Sequence, residues 1–87
     1  MVMGLPVATG EGLPAVIVDQ LRQALGARPY PLYEADELAA LVEAVQALAT
    51  TYPAHGRVCW ELVVVPYLQV RLVDGHRSDL VLLTPSR

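Results

Sequence analysis

With 87 residues, a formal net charge of −3, six arginines and no lysine, this sequence describes one small acidic domain. Cations so few and so scattered cannot build a phosphate-binding surface, which excludes nucleic acid as the expected partner. Apolar residues make up 54%, more than the roughly 45–50% of an average domain even though that figure counts glycine.

A chain this short buries only about 60–65% of its unfolded surface. The surplus therefore predicts an apolar surface outside the core, covered by a protein partner or by a second copy of the chain. A membrane is not the expected sink. The longest apolar stretch, Leu62 to Leu68, is broken by Pro66 and falls far short of the roughly 20 residues of a bilayer span. Met1 to Pro6 lack the positive region of a secretory signal, and the single cysteine cannot close an internal disulfide, so a cytoplasmic location is expected. The charge is uneven. Residues 1–54 carry Glu11, Asp19, Glu34, Asp36, Glu37 and Glu43 against Arg22 and Arg28, whereas residues 55–87 carry Glu61, Asp74 and Asp79 against Arg57, Arg71, Arg77 and Arg87.

In chain order, residues 1–12 are rich in small residues and read as a flexible arm or a short edge strand, ahead of a single α+β domain over 13–87. The spacing of Leu13, Val16, Ile17, Leu21, Ala24 and Leu25 predicts a helix over 13–25, with Pro14 in its first turn and Gly26 as the C′ residue. Two prolines bar Arg28 to Tyr33 from a helix, so this connector should be extended, with 29–33 available as an edge strand. A second apolar stripe, Leu38, Leu41, Val42, Val45, Leu48 and Ala49, predicts a helix over 35–51 with Asp36 as N-cap and Pro53 beyond its end.

From Val58 to Thr84 the pattern changes to a period of two, the signature of strands with one buried face. Trp60, Leu62, Val64, Leu68, Val70, Leu72, Leu80 and Leu82 share the even phase. Strands are expected over 57–65, 67–73 and 79–84. A tight turn at Val65-Pro66-Tyr67 places Trp60 opposite Leu72, Leu62 opposite Val70 and Glu61 opposite Arg71. One long bent strand is the other layout. A five-residue loop, Asp74 to Ser78, would pair Val73 with Asp79 and keep Leu80 and Leu82 on the buried face. The expected architecture is two helices on one face of an antiparallel sheet of three or four strands, in the order ααβββ.

Several residue groups invite a chemical reading. Gly10-Glu11-Gly12-Leu13-Pro14-Ala15 matches the G-x-G-x-x-A spacing of dinucleotide sites, but a carboxylate beside the phosphates and Gly4 and Pro6 in the preceding segment argue against it. One cysteine, Cys59, and two isolated histidines, His55 and His76, do not make a zinc set. Asp74, His76, Ser78 and Asp79 are better explained by turn chemistry than by a catalytic triad. No catalytic, metal or cofactor residue is therefore assigned.

The expected function is a non-enzymatic interaction module, homo-oligomeric or bound to a protein partner. Its contact surface would be the half-apolar odd face of the sheet, Val63, Val65, Val73, Val81 and Leu83, rimmed by Glu61, Gln69 and Arg71. Two alternatives stand beside it. One is a small-molecule-binding or catalytic domain with a pocket near Trp60 and the Tyr30–Tyr33 connector. The other is an acidic, antitoxin-like inhibitor that engages a basic partner through the second helix.

Overall fold

The computed structural model describes residues 5–27, 33–64 and 67–83. The elements follow as β1 (Ala8–Gly12), α1 (Pro14–Ala27), α2 (Ala35–Ala49), β2 (Val58–Val63), β3 (Leu68–Asp74) and β4 (Arg77–Leu83). The strands form one antiparallel sheet in the order β1-β2-β3-β4. Both helices lie on one face, α1 against β1 and β2 and α2 against β4, so the fold is the expected two-layer α+β arrangement.

Pro14 opens α1 where its missing N–H has no intrahelical partner to lose. The helix buries Ile17, Val18, Leu21 and Leu25, one stripe at helical spacing, and it runs through Gly26 rather than stopping before it. In α2 the N-cap is Glu34, two residues ahead of the expected Asp36. The Glu34 amide donates to Glu37 Oε1 at 3.2 Å, and the Glu37 amide donates to Asp36 Oδ1 at 3.0 Å. Three carboxylates thus gather at the positive end of the helix dipole. Leu41, Val42, Val45 and Ala49 of α2 meet the α1 stripe over Val58, Trp60, Leu62, Leu68, Val70 and Leu72 of the sheet. Each fully buried aliphatic side chain contributes about 1.5–3 kcal/mol by leaving water.

The β2–β3 register pairs Trp60 with Leu72, Glu61 with Arg71 and Leu62 with Val70, as the hairpin layout requires. The single bent strand is thereby excluded. Of the expected edge segment 29–33, residues 29–32 lie outside the described residues. The fourth described strand is β1, which pairs with β2 so that Gly10 faces Trp60. Of the two readings of residues 1–12, Ala8–Gly12 take the short edge strand.

The β3–β4 hairpin differs from expectation by one residue. Asp74 pairs with Arg77 and Val73 with Ser78, leaving a two-residue turn, Gly75-His76, in place of a five-residue loop. Gly75 has φ +60°, the left-handed conformation required at the first centre of a type II′ turn, where glycine meets no steric penalty. A slip of one residue exchanges the faces of a whole strand. Asp79, Val81 and Leu83 turn toward the helices, with Val81 and Leu83 packed on the core. Leu80 and Leu82 turn outward and are 52% and 50% exposed.

Candidate interaction surface

The outer face of the sheet carries alternate residues of every strand, and among the described residues no helix packs on it. Reading across the sheet, Thr9, Glu61, Arg71 and Leu80 form one row. Val63, Gln69 and Leu82 form the next row, and Glu11, Cys59, Val73 and Ser78 form the row on its other side. Val63, Val73, Glu61 and Gln69 are half-buried by neighbours in the sheet, while Arg71 is exposed. Of the residues expected to form the contact surface, these five stand together on this face. Val65 lies outside the described residues. Val81 and Leu83 do not belong to the surface, because the slipped register turns them inward, and Leu80 and Leu82 take their place.

The charged pair at the centre of this face has a notable geometry. Glu61 and Arg71 are directly opposite in the register. Among the described residues, however, neither makes a side-chain hydrogen bond or ion pair; the ion pairs join Arg22 to Asp19, Arg57 to Glu11 and Arg77 to Asp79. At the rim, Arg57 Nη2 lies 3.1 Å from Glu11 Oε1, and the exposed Cys59 thiol lies 3.7 Å from Glu11 Oε2. Exposed pairs of this kind are worth about 0–1 kcal/mol and fix local geometry more than stability.

A second cluster, on the helix side, fastens β4 to the end of α2. Tyr52 is 4% exposed, and its hydroxyl donates to Asp79 Oδ2 at 2.6 Å. Arg77 Nε donates to the same oxygen at 2.6 Å, while its Nη2 donates to Thr51 Oγ1 at 2.8 Å. The guanidinium stacks 4.2 Å above the Tyr52 ring, a favourable cation–π geometry. Burial and then the bond to the Asp79 carboxylate push the Tyr52 hydroxyl up to about 12. The hydrogen bonds from Tyr52 and Arg77 hold Asp79 below the usual carboxylate range. This cluster is a latch between two elements, with its polar groups spent on one another.

The glycines of the dinucleotide-like motif are explained by packing. A Cβ on Gly10 would lie 2.4 Å from Trp60 Nε1, so the indole lies against bare backbone of the neighbouring strand. Trp60 Nε1 donates to Gln20 Oε1 at 2.6 Å, and Gln20 Nε2 donates to the Glu11 carbonyl at 3.0 Å, tying α1 to β1 and β2. Trp60 is 3% exposed and belongs to the core. Tyr33 accepts a hydrogen bond from the Leu68 amide at 3.1 Å, and Tyr30 lies outside the described residues. Clefts of about 400 and 410 Å³ border the helices, the first between Val18, Asp19, Gln46 and Thr50, the second beside Leu25, Leu38 and Val42.

Among the described residues no three histidine, cysteine, aspartate or glutamate side chains gather as a metal site. Ser78 and Asp79 point to opposite faces of β4, so the Asp74–Asp79 loop does not assemble a triad. No described helix is long and apolar enough to cross a membrane. Sequence reasoning missed the Tyr52–Asp79–Arg77 latch and the Gln20–Trp60 bond, since both depend on which residues the tertiary fold brings together. In comparison with known proteins, no family model, no curated protein and no solved structure matches this chain.

Proposed function

We propose that this protein is a non-enzymatic interaction module whose contact surface is the outer face of its sheet. The observation that carries this reading is the outward placement of Leu80 and Leu82, each about half exposed, beside Val63 and Val73 on a face that neither described helix covers. Exposed single leucines are ordinary; several apolar side chains grouped on one flat face mark an interface. Glu61 and Arg71 at the centre of the face, with Gln69 beside them, supply the polar groups that select a partner. A cytoplasmic setting accords with the free, exposed Cys59.

Native mass spectrometry of the purified protein tests the reading. A species heavier than one chain, dispersed by Leu80→Asp while the circular dichroism spectrum is retained, is expected. A bare single chain whose mass is indifferent to Leu80→Asp would overturn it.

A further inference from the structure

Building on the outer sheet face as contact surface, we infer that its occupant is a second copy of this chain. The two copies dock face to face about a two-fold axis that runs along the strands between β2 and β3. The central row of the face carries the argument. Across the sheet it reads Thr9, Glu61, Arg71, Leu80. Rotation about that axis lays the row over its own reverse, so Glu61 of each copy lies over Arg71 of the other and Leu80 covers Thr9. A two-fold axis across the strands through the same row would stack Glu61 on Glu61 and Arg71 on Arg71, and like charges in an interface repel. The charge pattern therefore favours the axis along the strands over the axis across them, the two arrangements that keep the strands of the packed sheets aligned.

Three further observations favour a second copy. Glu61 and Arg71 have no side-chain hydrogen bond or ion pair among the described residues, so both are available to exchange partners between copies. The face is large enough for a weak, reversible pairing. Four strands about 4.8 Å apart and some six residues long present roughly 20 by 20 Å on each copy. Doubled, this is about 800 Å², below the ~1,200–2,000 Å² of stable interfaces and in the range of transient ones. Finally, the outer face balances Glu11 and Glu61 with Arg57 and Arg71, whereas the helices carry Asp19, Asp36, Glu37 and Glu43 against Arg22. Copies meeting through their helices would repel; copies meeting through their sheets do not.

The test is a charge-swap experiment on the full chain, read by sedimentation velocity and native mass spectrometry. The unmodified protein should give a two-chain mass. Glu61→Arg alone and Arg71→Glu alone should each weaken self-association roughly tenfold or more, because like charges then meet twice. An equimolar mixture of the two variants should recover a two-chain species containing one of each. Thermal melts of the single variants exclude loss of fold as the cause. If Leu80→Asp disperses the pair while the charge variants associate as before, the contact face stands and this docking is overturned. A heavier species made of this chain and a different protein also overturns it. A single chain under every condition overturns the contact face as well.

Discussion

The β2–β3 and β3–β4 hairpins share a strand but are held in register by different forces. Between β2 and β3, large apolar side chains oppose each other on the core side, Trp60 with Leu72 and Leu62 with Val70. Any slip would carry these pairs to the outer face, and burial alone forbids it. Between β3 and β4 the core-side pairs are Leu72 with Asp79 and Val70 with Val81. The β4 strand offers Leu80, Val81, Leu82 and Leu83 in succession, so either phase places apolar side chains inward. Burial then discriminates weakly, and local chemistry decides through the φ +60° glycine of the turn and the polar latch to Tyr52. A strand that is apolar on both faces takes its register from its turn and its anchors, and the leucines left outside become the contact surface.

This contrast can be broken from either side. The largest expected effect comes from Leu72→Ala, in the shared strand and fully buried, which should cost about 2–5 kcal/mol in chemical denaturation through lost burial and the cavity left behind. Gly75→Ala should cost about 1–2 kcal/mol, because a Cβ is unfavourable at positive φ. The β2–β3 hairpin should keep its protected amides in hydrogen exchange while β4 amides exchange faster. Equal loss of protection in both hairpins would contradict the separation.

The latch makes a pH-dependent prediction. Tyr52 has its hydroxyl raised from 10.0 to about 12, so its contribution is fully present below 10 and is lost as pH rises through that window. Asp79 is lowered from 3.8, so its contribution is present above that value and is lost as the carboxylate protonates at lower pH. Neutral solution keeps both. In a spectroscopic titration one of the four tyrosines should ionise late, and Asp79→Asn should bring it back toward 10 without reaching it, since burial persists. A titration unchanged by Asp79→Asn would contradict the latch. The smallest effect on stability is expected on the outer face. Leu82→Ser should alter unfolding free energy by no more than about 0.5 kcal/mol while weakening any association.

The legible parts of the molecule are those in which one physical signal dominates. Both helices follow from apolar stripes bounded by Pro14, the capping carboxylates and Pro53, and the β2–β3 register follows from alternation around Pro66. The slipped hairpin was hidden because a five-residue loop, Asp74 to Ser78, carries the even apolar phase onto Leu80 and Leu82, whereas the structure pairs Asp74 with Arg77 and puts Gly75-His76 at the centre. The glycines of β1 leave an arm and an edge strand as equal readings, and the reason for Gly10 is the indole of Trp60 across the sheet. Of the contact surface, the β2 and β3 residues Glu61, Val63, Gln69, Arg71 and Val73 were readable from alternation. The β4 residues were not, because the run Leu80 to Leu83 is apolar on both faces and carries no phase.

The most direct test of this account compares Leu80→Asp with Val81→Asp by thermal melting. The observed register predicts that Val81→Asp lowers stability by about 1–3 kcal/mol, since it places a carboxylate against the core. Leu80→Asp should leave the melt of the single chain within about 0.5 kcal/mol of the parent. The reverse ranking, with Leu80→Asp the destabilising change, would show that β4 carries its even residues inward and would remove the basis of the proposed surface.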